Sequence, residues 1–533
     1  MQIEFVLLIL SLLFFVSIIA DKIGYRFGVP ALLLFLTVGM LFGSGGVGAL
    51  FGGDGIQIET SAAQALSTLA LCIILFSGGL DTKLVDVKSV LWPGVTLATL
   101  GVLLTCVITG VITYFIFGWL NALAGISIWM ALLMAATLSS TDSASVFSIM
   151  RTNSIGLKHG LRPLLELESG ANDPMAYVLT TTMIGIVLSQ SQQVMVLPII
   201  QTIVIQLVMG TVLGFVLGKG VVALMRRVQL ANESLYPIMV LTACIFIFSI
   251  TYYLEGNTYL AVYVGGLIIG NSKFTRKRQT KAFFNGLTWL SQLAMFLMLG
   301  LMVHPSELLQ INVWLPCLII SLIMILISRP VSVLLCMWPF HSNYHTRDRI
   351  MLSWVGLKGA VPIVFAVMCK AQGVPHADMI FNVVFLCTIV SLLTQGTTLS
   401  LLAARLELAT PPDETKRLLH FDMDLPDEIQ STAHELEVTE PMLAGGCTLR
   451  EMKLPPRTLI IMVRRGEDFF VPTGDSTLAV GDQLLAISDH DANAIYRQLT
   501  NEAEEEAQWR AGVKARARAR LTRLTQRFAK SKP

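Results

Sequence analysis

Five ionisable side chains stand inside long apolar runs of this chain: Asp142, Glu168, Asp173, Arg329 and Lys358, with Glu166 a sixth nearer the surface. An ionised group at the centre of a bilayer costs at least about 2.5–3.5 kcal/mol, so each needs a partner or a task. At about 1.5 Å per helical residue, Asp142 and Lys358 each lie about 12 Å from an inner helix end. On the same scale Glu168 lies about 10 Å deep, Arg329 about 16 Å and Asp173 about 18 Å. All five fall in one slab between the inner surface and the midplane, which points to one site.

Spacing separates their roles. Ser169 and Asp173, four residues apart, share one helical stripe, while Glu168 and Asn172 share the next. Pro174 has no N–H, which frees the carbonyl of Gly170 beside the site. The stripe of Asp173, Ser169 and that backbone offers hard oxygen ligands suited to alkali cations. Thr141 and Asp142 can add further oxygens from the preceding segment. Arg329 can neutralise one carboxylate, expected to be Glu168, and Lys358 another. One of the three principal acids is then left over. A carboxylate of that kind can hold either a proton or a cation near neutral pH, which is the chemistry of exchange. The Glu168–Arg329 pair is expected to be structural.

The elements that must position these residues are membrane helices. The 533 residues are 54% hydrophobic and only 14% charged, with a mean hydropathy of +0.68. Soluble proteins carry about 25% charged residues, so a soluble enzyme is excluded for most of the chain. The formal net charge of +2 says nothing about nucleic acid, and none is expected as a partner. Seven of the eight cysteines sit in apolar runs without metal-ligand or disulfide spacing. The first twenty residues lack a basic leader and a cleavage site, and read as a retained helix. Apolar runs predict thirteen spans near 3–20, 29–48, 61–80, 91–117, 126–150, 161–189, 195–225, 236–254, 258–271, 283–303, 312–340, 350–370 and 378–404.

Basic residues fill alternate loops, for example Lys83 and Lys88, Arg226 and Arg227, and the cluster from Lys273 to Lys281, while the other loops hold only Lys370. The positive-inside rule then puts the N-terminus outside and residues 405–533 in the cytoplasm. Spans five and twelve are each interrupted by small and polar residues, ATLSSTDSASVFS and SWVGLKGAVPIV. They are seven spans apart, an odd offset, so they run in opposite directions. Spans 1–6 and 8–13 thus read as inverted repeats, whose interrupted helices mark the substrate site of a transporter.

The segments TDSASV, ESGANDP, ISRPVSV and GLKGAVP resemble the signature segments of NhaP-type monovalent cation/proton antiporters, relatives of the animal sodium/proton exchangers. The resemblance covers residues 1–404. It implies an all-α membrane domain of thirteen helices with inverted repeats, an ion-carrying core and a dimerisation domain, hence a homodimer. It also implies that Asp173 carries ion or proton, that Thr141, Asp142 and Ser169 line the site, and that Glu168 and Arg329 form the family's ion pair. Family members with Asn172-Asp173 in place of two acids exchange one cation for one proton. Two departures stand out: no proline follows Asp142, and Lys358 replaces the usual arginine at the helix break.

Beyond Arg405 the composition turns soluble. We expect a linker over 405–419, a small α/β domain over 420–500 and a basic tail over 501–533. The stretch LREMKLPPRTLIIMVRRGEDFFVPTGDSTLAVGDQLLAI resembles the C-terminal subdomain of potassium-conductance regulators, the TrkA-C type. The Rossmann half that often precedes it is missing, so a nucleotide ligand is not implied, and a regulatory small molecule remains unnamed. The tail, with basic and no acidic residues from Ala511 onward, suits an anionic lipid surface or a solvated end. The expected function is exchange of potassium, or alternatively sodium, for protons across an inner membrane, without a cofactor. A potassium channel would need a carbonyl filter such as TVGYG. An intramembrane hydrolase would need a matched catalytic pair, and His304 and His376 lie at the outer edge.

Overall fold

A computed structural model of the chain describes residues 4, 8, 11–19, 22, 31–43, 56, 58–120, 126–152, 155–189, 196–228, 230–274, 276–410, 433–443, 448–452, 454–466, 468–488 and 495. They fall into two compact units, 1–150 with 157–402, and 151–156 with 403–533. Residues 411–419 of the expected linker, the basic tail and part of the first span lie outside the described residues.

The first unit is built of helices. In chain order the longer ones are α1 (Ala31–Phe42), α2 (Thr60–Asp81), α3 (Leu91–Leu120), α4 (Ile128–Leu138), α5 (Ser143–Thr152), α6 (Leu161–Ser189) and α7 (Val196–Arg227). There follow α8 (Leu235–Tyr253), α9 (Thr258–Gly270), α10 (Lys277–Leu301), α11 (Ile311–Phe340), α12 (Thr346–Trp354), α13 (Val361–Ala371) and α14 (Ala377–Arg405). Among the described residues, seven helices are long and apolar enough to cross a membrane, and four more are shorter apolar helices. The short ones include α4 and α13, which are halves of interrupted segments. Span ten begins earlier than expected, at Lys277, because its basic first turn continues the helix.

Helices α3, α11 and α14 each contain one wider π-type turn, at Leu97–Gly101, Met324–Ser328 and Leu392–Gly396. Such turns recur at functional sites. Helix α9 packs closely on α2 because glycines meet backbone there: a Cβ on Gly266 would strike the carbonyl of Phe76. Close backbone approach through small residues replaces the hydrophobic drive that lipid does not provide. Helix α7 leaves Leu197, Ile200, Val204, Ile205 and Val208 exposed, as a lipid-facing helix does.

The second unit holds a four-stranded antiparallel sheet. Its strands are β1 (Ala433–Glu437), β2 (Thr458–Arg465), β3 (Asp468–Phe470) and β4 (Gln483–Ser488), in the order β1-β4-β2-β3. The runs TLIIMV, DFFVPT and DQLLAIS thus yield the strands expected of them. Leu436, Ile460, Val463 and Leu484 fill its core, and Gly466, at φ +63°, turns β2 into β3.

Candidate functional site

The site lies where two interrupted segments meet beside α6. Residues 139–142 separate α4 from α5, and residues 355–360 separate α12 from α13. Side chains explain the first interruption. The Ser139 hydroxyl turns back to the Ala136 carbonyl at 2.6 Å. Asp142 caps α5, its Oδ1 accepting from the Ser145 N–H at 3.1 Å and its Oδ2 from the Ser145 hydroxyl at 2.5 Å. In the second, Gly356 and Gly359 weaken the helix, and Pro362 suits the first turn of α13.

The two unwound stretches satisfy one another's backbone. The Asp142 N–H donates to the Leu357 carbonyl at 2.8 Å. Lys358 Nζ donates to the Ser140 carbonyl, also at 2.8 Å. Gly359 permits this approach, since a Cβ there would lie 2.6 Å from Asp142 Cβ.

Helix α6 brings both of its polar stripes to Thr141. The Ser169 hydroxyl donates to the Thr141 carbonyl at 2.8 Å, and Asn172 Nδ2 donates to Thr141 Oγ1 at 2.5 Å. Asp173 is 6% exposed, and among the described residues its Oδ1 has no hydrogen-bond partner. The Ser140 hydroxyl stands beside it, with Asp142 and Lys358 within electrostatic reach. One residue on, the Pro174 carbonyl accepts from Asn257 Nδ2 at 2.8 Å. The Tyr263 ring packs on Gly170, where a Cβ would collide with it.

Glu168 and Arg329 form a buried ion pair, Nη2 to Oε1 2.5 Å, at 1% and 5% side-chain exposure. Arg329 Nη2 also reaches the Leu352 carbonyl at the end of α12, at 3.5 Å. Glu166 instead pairs with Arg162 one turn back at 3.0 Å, half exposed. The structure therefore gathers Thr141, Asp142, Ser169, Asn172, Asp173 and Lys358 into one cluster, with Glu168 and Arg329 adjoining. It holds the Lys358 ammonium on a carbonyl oxygen, where the sequence had suggested a carboxylate. His304 precedes the short helix Pro305–Leu308 and His376 precedes α14, both apart from this cluster.

Sequence reasoning missed Ser140, Asn257, Ser391 and Gln395. Each is a buried polar residue beside or within an apolar run. Asn257 carried a readable signal, an N-cap residue before an apolar helix, and its Oδ1 accepts from the Leu260 N–H at 3.0 Å.

Comparison with known proteins agrees with this arrangement. The family described as "Sodium/hydrogen exchanger, transmembrane" matches residues 8–405, and the TrkA-C domain matches residues 434–500. The K(+)/H(+) antiporter NhaP of Alkalimonas amylolytica is 39% identical over 490 residues, covering 91% of this chain and 79% of that protein. The K(+)/H(+) antiporter NhaP2 of Shewanella sp. (strain ANA-3) is 36% identical over 502 residues, covering 93% and 83%. The fold resembles that of the sodium proton antiporter MjNhaP1 from Methanocaldococcus jannaschii, with a TM-score of 0.64 at 21% identity over 76% of this chain and 99% of that one. With three quarters of its length under the exchanger family and its near relatives antiporters throughout, this chain belongs to the sodium/hydrogen exchanger family and is a multi-pass cation/proton antiporter, a transporter and not an enzyme.

Proposed function

We propose that the chain exchanges potassium for protons, one for one, across the inner membrane, with Asp173 as the group that takes each in turn. The observation that carries this reading is the buried Asp173 carboxylate, whose Oδ1 has no hydrogen-bond partner among the described residues and beside which stand the Ser140 hydroxyl, Asp142 and Lys358. A proton or a desolvated alkali ion satisfies such an oxygen, and the two compete for it. Thr141, Ser169 and Asn172 hold the interrupted segment against α6, Asp142 adds an oxygen-rich cap, and Lys358 places a basic group at the second interruption. Glu168 and Arg329 hold α6 to α11. The printed names of the relatives favour potassium over sodium.

The division into a membrane domain over 1–404, a linker over 405–419, a TrkA-C-like domain over 420–500 and a basic tail over 501–533 belongs to the same reading. So do an outward N-terminus, a cytoplasmic C-terminus, a homodimer and regulation by a small molecule bound at 420–500. The test is proton movement in everted vesicles on addition of potassium or sodium. Asp173→Asn and Asp173→Ala should insert normally and abolish exchange, and retention of wild-type exchange in either would remove Asp173 from its role. Sodium-driven exchange exceeding potassium-driven exchange would replace potassium with sodium as cargo.

A further inference from the structure

Helix α14 carries two polar residues that the site described so far does not use. Ser391 is 0% exposed and Gln395 1%; Ser391 immediately precedes the wider turn Leu392–Gly396 and Gln395 lies within it. Both address the interruption between α12 and α13. A helix that stops leaves carbonyls without partners, and the unwound residues after it leave amides. Gln395 Nε2 donates to the carbonyl of Trp354, the last residue of α12, at 2.8 Å. Four residues on, the Lys358 N–H donates to Ser391 Oγ at 2.9 Å. Ser391 Oγ in turn donates to Gln395 Oε1 at 2.5 Å.

The direction of this chain is forced. A hydroxyl has one proton. With the Lys358 N–H already pointing at the Ser391 oxygen, the serine proton must go to Gln395 Oε1. The amide is thereby oriented with Nε2 toward the Trp354 carbonyl. Four groups on two segments are fixed by one another, and none can turn without orphaning the next.

We propose that Ser391 and Gln395 are positioning residues for the exchange reaction, a buried brace from α14 that sets the span of the 355–360 break and so the place of the Lys358 ammonium. The inference rests on the reading of Asp173 and Lys358 above. Lys358 is held at two points, its backbone N–H on Ser391 and its Nζ on the Ser140 carbonyl. Displacing the backbone therefore displaces the amine and the Ser140 carbonyl it holds, beside Asp173 and Asp142. A proton needs a single oxygen of Asp173, whereas a desolvated alkali ion needs several oxygens held in place around it. Loosening the brace should therefore weaken cation binding relative to the proton, so cation activation moves to higher pH.

Ser391→Ala removes the acceptor of the Lys358 N–H and the donor to Gln395 together. Gln395→Leu removes the Trp354 contact and the serine's acceptor. One net hydrogen bond corresponds to about 1 kcal/mol, so each variant of the full-length protein in proteoliposomes should raise the apparent KM for cation about fivefold. The activity–pH profile should move to higher pH, with the maximal rate changed less. Because the two residues act as one unit, the double variant should show no larger displacement than either single one. Unchanged KM and pH profile with only a lowered thermal stability would make the pair structural and overturn the proposal, as would additive displacements. If neither variant inserts, Gln395→Glu, which keeps the acceptor for Ser391 and loses the donor to Trp354, gives the same readout. Asp173→Asn measured in the same vesicles separates the two failures. Exchange surviving in Asp173→Asn defeats the site reading, while a dead Asp173→Asn beside a wild-type profile in Ser391→Ala defeats the brace alone.

Discussion

Thr141 shows how much of the site depends on one side chain. Its carbonyl accepts from Ser169 and its Oγ1 from Asn172, so both stripes of α6 dock on a single unwound residue. Thr141→Val keeps the volume and removes only the hydroxyl. It leaves a buried amide donor without a partner, which costs about 1–3 kcal/mol. We expect a lower melting temperature in detergent and weaker cation activation, read by fluorimetry and by vesicle assay. An unaltered melting temperature would mean that Asn172 finds another acceptor. At this scale the sequence was informative about identity and less so about geometry. Ser169 and Asn172 could be named from helical spacing and Thr141 from the polar interruption before them, yet only the fold shows that the serine and the asparagine converge on the threonine. Ser140 escaped notice because a serine in a membrane helix is common and needs no explanation by itself.

The elements were legible where composition changes along them and illegible where it does not. The interruptions at 139–142 and 355–360 coincide with runs of serine, threonine, aspartate and glycine, whose side chains or flexibility compete with helix. The wider turns in α3, α11 and α14 leave the apolar run intact, so hydropathy does not register them. The Glu168–Arg329 pair joins one of these helices, α11, to α6, at 2.5 Å in full burial. Removing one member strands the other charge, at a cost of about 3–5 kcal/mol. Arg329→Ala should therefore lower thermal stability strongly, and the double change Glu168→Gln with Arg329→Met should recover part of it. If Arg329→Ala kept its stability and altered cation affinity, the pair would belong to the transport chemistry.

In the C-terminal sheet the corresponding element is the clamp of Arg465 on Asp482, at 2.8 and 2.6 Å. Burial opposes ionisation of Asp482, but the Arg465 guanidinium and the Ala479 N–H outweigh it and hold the carboxyl below the usual carboxylate range. A group whose folded value is depressed contributes stability above its unfolded value, about 3.9, and loses it as pH falls through the folded value. Asp482→Asn should thus weaken amide-exchange protection along β4 at neutral pH, with the difference from wild type shrinking once pH drops below about 4. A difference that stayed constant with pH would assign the effect to packing.

For the molecule as a whole, the decisive quantity is the charge moved per cycle, which the proposed function assigns to Asn172. On the proposed reading, with asparagine before Asp173, one carboxylate serves the site, so each half-cycle would carry one cation or one proton and the loaded states would have equal charge. Moving one net charge across about 100 mV is worth about 2.3 kcal/mol. An electroneutral exchanger feels none of that, and its rate should be indifferent to membrane potential. Competition at one group further requires that apparent cation affinity rise with pH and level off once the carboxylate has lost its proton. Solid-supported-membrane recordings with potassium gradients at several pH values test both points. A transient displacement that decays to zero fits one cation for one proton. A steady current of fixed sign would require unequal charges in the two half-cycles, and the second carrier would then have to be sought among Asp142 and Lys358, the ionisable groups that face Asp173 across the two interruptions.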